Sequence, residues 1–475
     1  MKQIKIIVLL LVAVHISSCE KDYLSPVPLS SITVDNFYTT EGELETGVIN
    51  MYDGIQGKND LITSDNDANY GIQREFHLTE MRSDNTRTKS SEGEPAQFES
   101  FAVESTNGVV ANYYASYYNI VFRANVVLQN LGVASAVTAA KFEGEAKFVR
   151  AYAYFNLVRL FGAIPLATSV VEASDSETSF TRRATADVYA LIVSDLTTAV
   201  ANLDNTYKTR ASKAAAQALL AKVHLTLGNY SLAQGLCEDV MASGFGLEPN
   251  YQDVFYSEGN NETIFAIGFE GDGVDSQDFS AEWLNAVGRS SGLNYVTDEA
   301  RAAFAAFGGI ARSDYSVRQD AVQPTQYQVV KYLPNGDDNL GIAATSGNPQ
   351  TAGNDWIVLR YSDVLLMHVE AIMAGGVSTS DAAAITSFQA VRDRAGLTAV
   401  VSSISKQELM DERRVELAFE NHRFFDLIRF GEAENVLGAF ATANGYGFSV
   451  SDLLLPIPQR EIGLSGGLLT QNPGY

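Results

Sequence analysis

The segment from Glu412 to Arg429, Glu-Arg-Arg-Val-Glu-Leu-Ala-Phe-Glu-Asn-His-Arg-Phe-Phe-Asp-Leu-Ile-Arg, is the densest charged motif in the chain. Glu412 and Glu416 stand four residues apart, so a helix would carry both carboxylates on one face. Two carboxyls can cleave a glycosidic bond only when they flank the sugar, at least about 5 Å apart on opposite sides. Neighbours on a single helix cannot do this. Arg413–Glu416, Glu420–Arg423 and Asp426–Arg429 read instead as i, i+3 ion pairs.

Other chemical patterns also fail on inspection. Gly463-Leu464-Ser465-Gly466-Gly467 fits the G-x-S-x-G nucleophile pattern, which requires an acid and then a histidine further along. No histidine follows His422, so the match is fortuitous. Asp65-x-Asp67-x-Asn69 opens like a calcium loop, but Tyr70 and Phe76 occupy the positions that need glycine and glutamate. A solvated acidic turn is the plain reading, with a calcium site of another geometry left open. His77, His224, His368 and His422 are too scattered for a helical zinc motif. His224 and His368 fall within expected helices and read as packed side chains. The expectation is a protein with no catalytic residue, no metal and no cofactor.

The elements around these residues are mainly helical. From Val109 to Leu131, Tyr113, Tyr114, Tyr117, Tyr118 and Val121 recur at three- and four-residue spacing, an aromatic stripe suited to a core. A long amphipathic helix is expected over Lys141–Phe161, stopped by Gly162 and Pro165. Further helices are expected over Asp187–Leu203 and Ser212–Leu227. The run Gly228-x-Tyr230-x2-Ala233-x3-Cys237 resembles half of a tetratricopeptide repeat, whose small residues let paired helices approach closely. Tyr361–Ala374 and Ser380–Ala395 form another expected pair, and Ser405 to Glu408 is a capping box. Between Ser243 and Asn354 glycine, asparagine, aspartate and serine become frequent, broken by strand-like pieces at Thr263–Phe269 and Gln326–Tyr332. A loop-like segment also spans Asn59–Phe98. Long loops in a compact protein are usually functional or disordered, and the aromatics Phe279, Trp283, Tyr295 and Tyr315 favour function.

The N-terminus carries Lys2 and Lys5, an apolar run from Ile6 to Val14, then Ser17-Ser18-Cys19. This is the pattern of a secretory signal peptide over residues 1–18. Ile16-Ser17-Ser18-Cys19 resembles a bacterial lipobox, which makes Cys19 the acylated first residue, followed by a proline-bearing tether over 19–35. With Cys19 acylated, Cys237 has no disulfide partner, so the fold must hold without staples. The formal charge of −24 disfavours nucleic acid and anionic headgroups as partners.

Four stretches carry a resemblance to a known family. These are Phe142 to Leu166, Ala218 to Tyr230, Arg360 to Ala371, and Glu412 to Arg429, joined by Leu455-Pro-Ile-Pro-Gln-Arg-Glu-Ile462 and Asn472-Pro-Gly-Tyr475. Their order resembles the SusD/RagB family of outer-membrane nutrient-binding lipoproteins from Bacteroidetes. The resemblance implies a tetratricopeptide-like helical core with long irregular loops and few short strands. It divides the chain into an N-terminal region, 36–240, with loops at 59–98, and a C-terminal region, 241–475. It further implies a lipid-anchored protein facing the cell exterior that hands oligosaccharide, or in some members peptide, to a SusC-like TonB-dependent β-barrel transporter. A helical-repeat adaptor that binds protein is the competing reading, and a glycosidase is a third.

Sugars present C–H faces to flat rings and need a few oriented polar partners for their hydroxyls. On that chemistry Trp283 is the first candidate to stack on a sugar, Tyr295 the second and Tyr70 the third. Arg74, Asp84 and Asn85 are candidate hydrogen-bonding partners. Trp356, just before the Arg360–Ala371 helix, reads as a core anchor.

Overall fold

The computed structural model describes residues 37–59, 69–88, 93–284, 294–321 and 323–475. The signal peptide, Cys19, the tether, and Asp65 and Asp67 of the calcium-like motif lie outside the described residues.

Helices dominate, and their ends are written in local chemistry. Thr40 opens α1 (Glu41–Gln56) with a capping box to Glu43. α2 (Gly108–Gln129) starts at Asn107, whose side chain accepts from the Val110 N–H. α3 (Ala136–Phe161) begins five residues before the expected Lys141, because Ser135 caps it while its first turn lies exposed and lacks an apolar period. It ends at Gly162, whose φ of 71° suits glycine. α4 (Thr185–Asn202), α5 (Lys213–Thr226) and α6 (Tyr230–Met241) follow. The loop-rich region holds α7 (Asp298–Phe307), and after it come α8 (Tyr361–Met373), α9 (Ala382–Arg394) and α10 (Lys406–Glu416).

Each helix from α1 to α6 packs on the next, and α6 continues onto α8 and then α9. This succession of packed neighbours is the paired-helix arrangement expected of tetratricopeptide-like repeats. Ala214, Ala215, Ala216, Ala218, Ala221, Ala233 and Cys237 are fully buried where α5 meets its neighbours, since small side chains permit close approach. The aromatic stripe of α2 splits. Tyr113 and Tyr117 are core residues with rings 4.1 Å apart, whereas Tyr114 and Tyr118 reach a cavity on the other side.

Among the described residues the strands are short, and they pair in antiparallel ribbons. β1 (Thr86–Thr88) pairs with β3 (Asn294–Val296), and β2 (Thr263–Ile267) with β6 (Trp356–Arg360). β4 (Val317–Gln319) pairs with β5 (Tyr327–Val329). One hydrophobic cluster runs from Leu44 to Leu469, so the N- and C-terminal regions share a core. Trp356 sits in it, stacked on Tyr332 at 5.5 Å and edge-on to Phe279 at 5.2 Å.

The charged segment from Glu412 to Arg429 is not one helix. α10 stops at Glu416, and α11 (Arg423–Arg429) starts after a turn in which Phe419 and Asn421 take φ of 67° and 64°. The break changes the pairing. Only Asp426–Arg429 forms as an i, i+3 pair, at 2.8 Å. Arg413 turns to Asp363 and Asp426, Glu420 to Arg360 and Lys331, and Arg423 to Asp84. These side chains are buried, and a buried charge must find its partner wherever the fold supplies one.

Candidate functional site

The two-stranded ribbon β1–β3 presents the most coherent exposed chemistry in the loop region. Both strands alternate buried, half-buried, buried, so Arg87 and Tyr295 point away from the core while Thr86, Thr88, Asn294 and Val296 point in. Register places Arg87 directly opposite Tyr295. Its guanidinium lies 5.7 Å from the ring centroid, within cation–π range. Arg87 also donates to the Asn444 side-chain oxygen at 3.1 Å, in α12 (Ala433–Asn444), and pairs with Glu99 at 3.4 Å. Glu99 in turn accepts from the Thr88 N–H at 2.8 Å and from the Tyr446 hydroxyl.

The result is a face with two phenol rings and one guanidinium, tied together by the buried carboxylate of Glu99. Burial and the Glu99 hydrogen bond push the Tyr446 phenol up to about 12. Burial also raises Tyr295, against the pull of Arg87. Both hydroxyls therefore stay protonated at neutral pH; the Tyr446 proton is committed to Glu99, and the Tyr295 hydroxyl can donate to a ligand oxygen.

Asp84 and Asn85 lie beneath this face rather than on it. Asp84 is buried and bound by Arg414 at 2.9 Å and Arg423 at 2.8 Å. Asn85 is buried and accepts from Arg414 at 3.0 Å. Their backbone carbonyls accept from Thr297, whose side chain also caps α7 (Asp298–Phe307). As ligand contacts these two residues are corrected: their polar groups are consumed inside the protein, where they fix the position of β1 against β3.

Trp283 is also corrected as a stacking residue. It is only 1% exposed, with its ring 5.1 Å from Phe76 and 6.0 Å from Phe419. A ring closed in on this scale is core, and a sugar cannot reach its face. Tyr70 and Arg74 come together as a half-buried pair, with the guanidinium 5.4 Å from the ring and bound in a fork to Asp278 at 2.8 and 2.9 Å. Gly57 makes that placement possible, because a Cβ there would stand 2.2 Å from the Tyr70 backbone. Of the six ligand candidates, Tyr295 alone lies on the ribbon face. Arg87, Glu99 and Tyr446 were not anticipated; the alternation of Thr86-Arg87-Thr88 was the available signal.

A second concavity, apolar and about 310 Å³, lies against α2 between Tyr118, Phe122, Phe180 and Leu469. None of the anticipated ligand residues lines it. Ser465 of the G-x-S-x-G match is buried, with its hydroxyl donating to the Ile462 carbonyl at 2.8 Å. Among the described residues no group of three or more histidines, cysteines and carboxylates is placed to hold a metal.

Comparison with known proteins agrees with this architecture. Residues 306–475 match the model of the SusD family, and residues 32–225 match a model described as starch-binding associating with outer membrane. The chain is similar to SusD-like protein P2 of Formosa agariphila, 26% identical over the whole of both chains. It superposes on a laminarin-binding SusD-like protein with a TM-score of 0.75 at 26% identity, covering 92% of this chain and 100% of that one. Surface glycan-binding protein A of Bacteroides thetaiotaomicron in complex with laminarihexaose gives a TM-score of 0.75 at 20% identity, covering 91% and 100%. With two models of this kind spanning most of its length, a whole-length relative and the same helical scaffold, the chain belongs to the SusD/RagB family.

Proposed function

We propose that this protein is a non-catalytic, surface-exposed lipoprotein of the outer membrane that binds oligosaccharide at the Arg87–Tyr295 face and delivers it to a SusC-like TonB-dependent β-barrel. The reading rests on one observation above others: a ribbon fixed from below by Asp84, Asn85 and Thr297 holds the Tyr295 ring outward beside Arg87. A preorganised ring with a neighbouring donor is what a sugar's C–H face and hydroxyls require. The laminarin-binding and laminarihexaose-bound proteins named above support a glycan as the ligand class. The anchor is Cys19, whose acyl chains would hold the protein at the membrane.

Retardation in native gels containing laminarin, xyloglucan or starch tests the reading. Wild-type protein should be retarded by at least one polysaccharide, and Tyr295→Ala should weaken that binding about tenfold, a loss near 1.4 kcal/mol. Full mobility of the wild type in all three gels, together with binding to a protein or peptide partner, would replace the reading with the adaptor or peptide-binding alternative. Reducing-sugar release by the purified protein would replace it with a glycosidase. Cys19→Ala should move the protein from the membrane to the soluble fraction; if it stays with the membrane, the anchor lies elsewhere.

A further inference from the structure

α7 begins three residues after Tyr295, and it forms one wall of an open cavity of about 520 Å³. The opposite wall is Ser313, Asp314, Val317 and Tyr327, and β5, which carries Tyr327, packs against β3, which carries Tyr295. Arg301 leans across the cavity, with its guanidinium carbon 3.6 Å from the Tyr327 ring centroid. Asp298, one turn earlier on α7, accepts from Arg301 at 2.7 Å while its own side chain is 89% exposed.

This is a built arrangement. A guanidinium at that distance lies over the ring face, which leaves its N–H edge free to donate sideways. The adjoining Asp298 carboxylate accepts, so donor and acceptor stand side by side at the spacing of neighbouring hydroxyls on a sugar ring. The cavity's charged lining is two aspartates, Asp298 and Asp314, and one arginine. A sugar carboxylate entering here meets more like charge than opposite charge, whereas a neutral pyranoside meets hydrogen-bonding groups and the apolar side chains of Ala302, Ala305 and Val317 without charge repulsion.

We infer that the Asp298–Arg301–Tyr327 cavity is a second carbohydrate subsite, selective for neutral sugar units, continuous with the Tyr295 face and engaged only by ligands longer than a disaccharide. The inference rests on the glycan-binding reading of Tyr295. Continuity follows from the chain itself: Tyr295 and Asp298 are three residues apart, which limits their Cα separation to about 11 Å. Both ends are rigid, because Thr297 between them is buried and bound to the Asp84 and Asn85 carbonyls. A subsite held at fixed distance adds its contacts to an already docked chain without a second cost of association.

Two variants test the subsite in native gels containing laminarin, xyloglucan, starch or polygalacturonate, with thermal unfolding as the folding control. Tyr327→Ala and Asp298→Ala should each weaken retardation by the neutral polysaccharide that holds the wild type, about fivefold. Asp298 is too exposed for its loss to unfold the protein, so its result stands if Tyr327→Ala melts early. Titration with disaccharide and hexasaccharide from that polysaccharide should show the loss for the longer ligand alone. Unchanged retardation in the Asp298→Ala gel, or an equal loss for disaccharide and hexasaccharide, overturns the subsite while leaving Tyr295 as the binding face. Retardation of the wild type by polygalacturonate but by no neutral glycan overturns its selectivity. Mobility unaffected by every polysaccharide removes both the subsite and the reading beneath it.

Discussion

Replacing Arg360 by alanine is expected to cost about 3–5 kcal/mol of stability, enough to remove much of what holds a domain folded. Arg360 closes β6 and is 1% exposed. Its guanidinium reaches Glu420 at 2.7 Å, Glu262 at 2.8 Å and Glu416 at 2.6 Å, and also donates to the Glu416 carbonyl. Arg394, Arg312 and Lys331 neutralise the same carboxylates from other sides. Overall charge could therefore balance without Arg360, but its hydrogen bonds could not be replaced. Alanine would strand acceptors on three buried carboxylates and leave a void where the fork lay. Arg360→Lys should fall between wild type and alanine, because one ammonium cannot serve three carboxylates in a plane. Urea unfolding reads the difference, and a loss below about 1 kcal/mol for Arg360→Ala would mean that the network does not carry the fold.

The effect would extend to the candidate site. Glu420 lies in the turn between α10 and α11, where the Asn421 N–H donates to Glu80 at 2.9 Å. The helices on either side send Arg414 and Arg423 to Asp84, directly before the ribbon that carries Arg87. One connected set of charges thus fixes the scaffold and levels the platform for Tyr295.

That connection explains what the sequence disclosed and what it hid. Helix identity and most ends were readable because they depend on local signals: Ser212, Asp381 and Ser405 each cap the helix that follows. The paired-helix architecture was readable from the small residues around Ala218 and Ala233. Two of the three expected ion pairs were not. Arg413 and Glu416 have the right spacing, but burial let long-range partners such as Asp363 and Arg360 outcompete the neighbour three residues away. The same blindness affected the site. Trp283 looked available because glycine and serine surround it in sequence, and exposure is decided by Phe76 and Phe419, distant along the chain. Asp84 looked like a sugar ligand because nothing nearby shows that Arg414 and Arg423 claim it. Tyr295 was identifiable as an aromatic in a loop. Its partner Arg87 is set by strand register across two hundred residues, which no local pattern encodes.

Lowering the pH from 4 to 2 is expected to unfold the protein steeply, with more than one proton taken up, while stability between about pH 4.5 and 6.5 declines gently as pH rises. The acid limb belongs to carboxylates that the network holds ionised. Burial pushes Asp84 upward, but Arg414 and Arg423 together outweigh it and hold the carboxyl at about 2. Burial is likewise outweighed at Asp363 by Lys222 and Arg413, at Glu416 by Arg394, Arg360 and Arg312, and at Asp426 by Arg413 and Arg429. A carboxyl depressed in the folded state stabilises above its unfolded pKa, near 4, and that contribution disappears as pH falls through the folded value. Asp84 alone accounts for roughly 2–3 kcal/mol on this scale. In the middle window two trends oppose. Burial lowers His422 to about 3, so the folded state resists its protonation and loses stability as pH falls below 6.5. Burial raises Glu80 to about 7 and Asp355 to about 6, so the folded state loses stability as pH rises from about 4 toward those values. The slopes have opposite sign, and two carboxyls against one imidazole leave a net loss of stability as pH rises, shallower than the two carboxyls alone would give. Urea unfolding at half-unit pH steps checks both parts, and Asp84→Asn should make the acid limb shallower by close to one proton. Level stability down to pH 2 would show that these carboxylates are not held by the cations beside them, and with that the charged frame beneath the ribbon would lose its physical basis.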